Sequence, residues 1–187
     1  MEPMVVRCCN KTLKSIKRIV NFTVAILLAA NLVSDIGYAA DPESGLTTTI
    51  ILIRHVERDN FFIVTDQGHE RARALVKAVG SMGIAAIYSP DLERNLDSVK
   101  PLSEHLGVGI TLIPRITVKT VDGLVSQILA KHAGKVILLV GNGSGNLRAL
   151  HHRLGGSGEG PYEYGDLFIY KIPAQGPAIV VKSRFGQ

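Results

Sequence analysis

Thiols are almost missing from this sequence. Of 187 residues only Cys8 and Cys9 are cysteine, and both precede the first apolar run. The chain beyond them can form no disulfide, use no thiolate nucleophile and build no cysteine-based metal site. The histidines lack ligand spacing too: His55, His69, His105, His132, His151 and His152 fall into no metal-binding pattern. No Gly-x-Ser-x-Gly elbow occurs, so a Ser/His/Asp triad has no support. Gly141-x-Gly143 begins a dinucleotide-like turn, but the third glycine position holds Asn146. The body has no cluster of lysine and arginine interleaved with aromatics, which argues against a nucleic-acid partner.

The formal net charge of +5 is largely a property of the leader. Residues 1–40 hold five cations (Arg7, Lys11, Lys14, Lys17, Arg18) against two anions (Glu2, Asp35), so they carry +3 and the remainder only +2. Lys11 to Arg18 reads as a basic n-region, and Phe22 to Val33 as the apolar core of a signal peptide. That core is shorter than the roughly 20 apolar residues a spanning helix needs. Gly37-Tyr38-Ala39 offers small residues where a signal peptidase reads. The expectation is a signal peptide over 1–39, cleaved after Ala39 or one residue later, a domain over 40–187, and a periplasmic or secreted product. The alternative is an uncleaved anchor, and only through it would the chain touch a membrane.

The body alternates strand and helix. Thr48 to Arg54 is a β-branched and aliphatic run, a strand buried on both faces. Thr65 is a good N-cap, and Ala72, Leu75, Val76 and Val79 follow helical spacing, so a helix is expected to about residue 82, stopped by Gly83. Ile84 to Tyr88 is a second strand. Pro90 is expected at the start of the next helix, which places Arg94 about one turn in and ends at Gly107. Val108–Ile113 reads as a peripheral strand and Val121–His132 as a helix with Leu124, Ile128 and Leu129 inward. Lys135–Val140 is a second strongly buried strand, followed by the turn Gly141 to Asn146 and a further helix. Asp166–Ile172 and Ala178–Lys182 close the chain as strands. His151 and His152 are expected to complement a helix C-terminus. This order predicts an α/β fold, a three-layer α/β/α sandwich with a mainly parallel central sheet.

Three features then converge at the carboxyl ends of parallel strands, where open α/β sheets bind ligands. The first strand ends in Arg54-His55, the second leads into the helix with Arg94, and the late strand ends in a glycine-rich turn. Two arginines and a turn with free backbone N–H groups make an anion pocket with one imidazole in it. A histidine so placed can attack phosphorus while guanidiniums hold the other oxygens. Loop 57–64, with Phe61 and Phe62, is the one aromatic wall on offer.

These residues resemble the histidine phosphatase superfamily, of phosphoglycerate-mutase-like fold, and in particular its short single-domain bacterial branch. Leu52-Ile-Arg54-His55-Val56-Glu57-Arg58 resembles the family's Arg-His motif, and Thr65-Asp-Gln-Gly68 is similar to its Leu-Thr-x-x-Gly helix start. Ser89-Pro-Asp-Leu-Glu-Arg94-Asn-Leu-Asp-Ser98 resembles its Ser-x-Leu-x-Arg helix, with Ser98 where threonine is usual. Asp166-Leu167-Phe168 and Arg184-Phe185-Gly186 are similar to the tail of that branch, so the resemblance runs from about residue 48 to the end. It implies that His55 is a nucleophile forming a phosphohistidine, that Arg54, Arg94, Asn142 and Gly143 bind the phosphoryl group, and that no metal or organic cofactor is needed. It places a second histidine where this chain has Asn142, which can donate an amide hydrogen but neither carry charge nor transfer a proton. The proton donor is weakly matched by Asp122, with Glu57 and Asp97 behind it. The implied activity is hydrolysis of a phosphomonoester. The alternative is an inactive pseudo-phosphatase that binds a phosphate-bearing ligand. The implied partner is a phosphorylated small molecule or an exposed phosphate on a larger one.

Overall fold

The computed structural model describes residues 45–143 and 146–186. The expected signal peptide with Cys8 and Cys9 lies outside the described residues, as do Ser144 and Gly145 of the late turn. Among the described residues no helix is long and apolar enough to cross a membrane.

Among the described residues six strands form one sheet in the order β3-β2-β4-β1-β5-β6. They are β1 (Thr47–Arg54), β2 (Ile84–Pro90), β3 (Ile110–Ile113), β4 (Val136–Gly141), β5 (Asp166–Pro173) and β6 (Ile179–Arg184). β1 to β4 are parallel, while β5 runs antiparallel to β1 and β6 to β5. The helices of the described residues cover the sheet: α1 (Asp66–Val79), α2 (Glu93–Leu106), α3 (Val121–Lys131) and α4 (Asn146–Arg153).

The two-residue period of a strand sorts the core into two halves. On β1, Ile51 and Ile53 pack with Leu75 and Val79 of α1 and Val99 and Leu102 of α2. Ile50 and Leu52 pack on the other side with Val121, Val125 and Ile128 of α3 and Leu147 and Leu150 of α4. β1 must therefore be apolar on both faces from Ile50 to Ile53, which is why this stretch reads as an unbroken run. The result is the three-layer arrangement expected from the sequence. β1 and β4 lie side by side, with Arg54 level with Gly141. The helices that follow them leave to opposite faces, so a crevice opens at the carboxyl ends of these two strands.

Three local expectations need correction. α1 stops at Val79 rather than near 82, because Gly80 caps it and Met82 folds back onto the Val79 carbonyl at 3.0 Å. Pro90 does not open a helix: it is the last residue of β2, level with Ile113 of β3, and α2 begins three residues later. Arg94 therefore sits in the first turn of α2. His151 is not a surface partner for a helix dipole either. It is fully buried, its Nδ1 2.7 Å from the Tyr170 hydroxyl and its Nε2 3.0 Å from the Ser157 carbonyl. Burial holds its pKa below the ordinary histidine value, so it is a neutral core residue. His132 is buried as well, with Nε2 2.8 Å from the Tyr88 hydroxyl.

Candidate active site

β1 carries Arg54 and His55 to the crevice and ends there. The His55 N–H donates to the Gly141 carbonyl at 3.2 Å, which ties the loop to β4. Two further contacts fix the next residues. Ser98 Oγ accepts from the Val56 N–H at 2.9 Å and donates to the Arg94 carbonyl at 2.6 Å, so one hydroxyl joins the His55 loop to α2. Thr65 Oγ1 caps α1 by accepting from the Gly68 N–H at 3.2 Å. A side chain at Gly68 would collide with the Glu57 carbonyl and Val64, so glycine lets α1 lie directly against the loop.

Glu57, a candidate proton donor by sequence, is spent on structure. Arg71 grips its carboxylate with Nε at 2.8 and 2.9 Å and Nη2 at 2.6 Å, in a largely buried fork. The other arm of Arg71 reaches the carbonyls of Phe185 and Gly186 at 2.8 and 2.7 Å, pinning the closing segment to the same helix.

His55 is buried, with Nδ1 2.7 Å from the Val56 carbonyl. A carbonyl only accepts, so Nδ1 carries the proton and Nε2 keeps its lone pair. The pKa of His55 is lowered to about 4. Burial is the main cause, opposed by the bond to Val56 and reinforced by Arg54, Arg94 and Arg58. The imidazole is therefore neutral at physiological pH. Because its native value lies below the unfolded one, its contribution to stability is complete above about pH 6.5 and drains away as pH falls toward 4. The C2 proton of His55 should report the neutral ring down to about pH 4 in an NMR titration, and its midpoint should rise when inorganic phosphate occupies the site. A midpoint near 6.5 without ligand would contradict this environment.

Arg54 is held by a second loop. Its Nη1 donates to the Tyr162 carbonyl at 2.7 Å, and its guanidinium lies 4.0 Å from the Tyr164 ring centroid and 5.4 Å from that of Tyr162. The Tyr164 ring also meets His55 edge-on at 5.7 Å. Gly143 closes over Arg54, and a Cβ there would come within 3.2 Å of the guanidinium carbon. Arg94 faces Asn142, its Nη2 3.5 Å from Oδ1, and the Asn142 N–H is fixed by Asn146 Oδ1 at 2.9 Å.

The structure thus brings together Arg54, His55, Arg94, Asn142 and Gly143. Asp122 stands apart: its carboxylate is 77% exposed and pairs with Arg153 at 2.8 Å. Asp97 makes no ion pair among the described residues. Phe62 lines the site, with Arg58 and Arg94 4.3 and 5.3 Å from its ring centroid, whereas Phe61 points away at 82% exposure. The sequence did not single out Arg58, Arg115, Tyr162 or Tyr164 as site residues. Nor did it single out Glu159 and Glu163, which line a cavity of about 400 Å³ with Gly143, Leu147, Arg148 and Tyr162. Among the described residues no three His, Cys, Asp or Glu side chains gather to hold a metal ion. A neutral imidazole with a free lone pair, set among guanidiniums, can attack an electrophilic anion such as a phosphoryl group.

Comparison with known proteins bears on this geometry. The sequence model of the histidine phosphatase superfamily (branch 1) matches residues 50–117. No curated protein matches the chain by sequence. Among solved structures, Bacillus stearothermophilus YhfR is similar with a TM-score of 0.63 at 18% identity, over 72% of this chain and 95% of that one. The alpha-ribazole phosphatase from Shigella flexneri gives 0.60 at 14%, over 74% and 96%. A mycobacterial glucosyl-3-phosphoglycerate phosphatase gives 0.58 at 13%, over 74% and 98%. The family segment spans β1 through β3, with the Arg54-His55 strand end and the Arg94 helix inside it, and the body shares the fold of these structures: over residues 50–117 the chain matches the histidine phosphatase superfamily, and its α/β architecture is phosphoglycerate-mutase-like.

Proposed function

We propose that the protein hydrolyses a phosphomonoester through a phosphohistidine on His55. The observation that carries this reading is the tautomer of His55: Nδ1–H is committed to the Val56 carbonyl, which leaves Nε2 as a neutral nucleophile beside Arg54 and Arg94. The superfamily match over residues 50–117 supports phosphatase-type chemistry in general. In the first step Nε2 forms a bond to phosphorus while the bond to the leaving oxygen breaks. Arg54 and Arg94 hold the transferring oxygens, and Gly143 offers its backbone N–H. In the second step water attacks the same phosphorus, releasing phosphate and restoring the neutral ring. The leaving oxygen needs a proton. Glu159 and Glu163, in the cavity beside Gly143, are better placed to supply it than Asp122, which pairs with Arg153. The substrate is a phosphorylated small molecule or an exposed phosphate on a larger partner.

One observation favours a second reading, a pseudo-phosphatase that binds phosphate without turnover. Asn142 supplies an uncharged amide at a position where the resemblance places an imidazole, and an amide cannot relay a proton. Rapid quenching after mixing with a labelled aryl phosphate separates the two. The enzyme reading expects an acid-labile, alkali-stable phosphoryl group on His55 together with released phosphate. Binding of phosphate without any labelled protein or turnover would leave only the pseudo-phosphatase.

A further inference from the structure

Four arginines meet at this end of the sheet, twice the charge that one phosphoryl dianion balances. Arg54 and Arg94 account for the group that His55 would attack. Arg58 and Arg115 remain. The described ion pairs engage Arg71, Arg153 and Arg184, and none takes any of these four. Arg58 Nη1 meets only the Asp59 carbonyl at 2.8 Å, and the Nε atoms of Arg58 and Arg94 are buried without a partner. Like charges gathered without counter-ions cost free energy that a ligand of opposite charge recovers.

The geometry separates the surplus charge from the first site. Phe62 packs against both Arg58 and Arg94, its backbone in the left-handed region at φ 69°, a conformation a phenylalanine adopts only when its surroundings hold it there. The ring face softens the repulsion between the two cations but brings no net charge. Beside it, Phe62, Leu92, Arg94, Arg115 and Asn142 line a cavity of about 290 Å³. No carboxylate lines this cavity, whereas Glu159 and Glu163 line the other one, beside Gly143. Arg94 and Asn142 belong to both the first site and the basic cavity, so the two are contiguous. The pKa of Arg94 is lowered first by burial and further by Arg58 and Arg115, as expected if all three guanidiniums share one space.

We propose that the cavity between Phe62, Arg94 and Arg115 is a second anion subsite, and that the substrate carries a second phosphoryl or carboxylate group adjacent to the phosphoryl attacked by His55. This rests on the assignment of His55 and Arg94 to the first phosphoryl group. It also accounts for Asn142, because an amide on the shared wall donates to either anion without adding another positive charge to four that are already close.

The test is calorimetric titration of the full chain with inorganic phosphate, pyrophosphate and phosphonoacetate, at about 0.15 M salt so that diffuse attraction is screened. Pyrophosphate or phosphonoacetate should bind at least about tenfold more tightly than phosphate, and whichever does so identifies the second group. Arg115→Gln should erase most of that advantage and leave phosphate affinity within about twofold. Lys182→Gln, which removes an equal charge on β6, should alter neither. Equal affinities for all three anions would overturn the proposal, as would a parallel loss for phosphate and pyrophosphate in Arg115→Gln, an equal effect in Lys182→Gln, or no binding at all. Binding needs no turnover. A protein inert toward aryl phosphate that keeps the pyrophosphate advantage loses only the catalytic reading, and an active one without the advantage loses only the subsite.

Discussion

Replacing His55 with alanine should lower phosphate release by about 10⁴-fold or more while phosphate affinity stays within a few-fold. The two halves of this expectation have separate causes. On the proposed mechanism turnover depends on the Nε2 lone pair, which no neighbouring group can replace: Arg54, Arg58 and Arg94 are cations, and Asn142 is an amide. Affinity depends on the guanidiniums, and His55 contributes no charge to the ground state because its pKa is lowered to about 4. Since His55 is buried, alanine also leaves a void, so thermal melting must accompany the kinetics. His55→Asn is the companion variant. Its amide can still donate to the Val56 carbonyl and hold the loop, but it cannot form a bond to phosphorus. Loss of turnover in both variants, with the labelled phosphoprotein gone, assigns the nucleophile. Substantial turnover in either would mean that water attacks directly and that His55 is a wall of the pocket.

The parts of this site that were legible in the sequence are those set by periodicity. β1 is apolar at every position from Ile50 to Ile53 because both faces are covered there, so its end at Arg54-His55 stands out. Arg94 and Ser98 lie one helical turn apart on α2, and that spacing lets Ser98 donate to the Arg94 carbonyl while it holds the loop after His55. The residues that escaped come from loops. Arg58, Arg115, Tyr162 and Tyr164 belong to segments whose course is decided by tertiary contacts, such as Arg54 reaching the Tyr162 carbonyl across 108 residues. No local pattern announces such a contact.

Pro90 failed for a different reason. Proline suits the first turn of a helix and the end of a strand equally, since either position spares an N–H, so its presence could not choose between them. Pairing with β3 chose the strand. His151 did carry a signal that was passed over. Leu147, Leu150, His151 and Leu154 follow one helical stripe, and the histidine at its centre is buried with the leucines. Asp122 and Glu57 show why a carboxylate near the right place in sequence is weak evidence for an acid: Asp122 of α3 is paired with Arg153 of α4, and Glu57, in the loop after β1, with Arg71 of α1.

Asn142→His should raise turnover, by about 10- to 100-fold if the parent is an active phosphatase, because a lost oxyanion donor costs on the order of 10²–10³ and the resident amide recovers part of it. Space is available. Asn142 lines a cavity of about 290 Å³, and its backbone is already anchored through Asn146, so a larger ring can enter without moving β4. Charge is the harder constraint. An imidazole placed in this buried position beside Arg94, with Arg54, Arg58 and Arg115 nearby, would be held neutral in the free protein by the same burial, reinforced by the guanidiniums, that depresses His55. It would gain its proton when a phosphoryl dianion arrives. The benefit should therefore grow between pH 8 and pH 6 and appear in kcat more than in phosphate affinity. A parent that binds phosphate but never turns over, beside an active Asn142→His, would make this one side chain the difference between a pseudo-phosphatase and an enzyme. Equal rates in the two proteins across that pH range would place Asn142 outside the transition state, and its role would then reduce to the wall it shares with the second cavity.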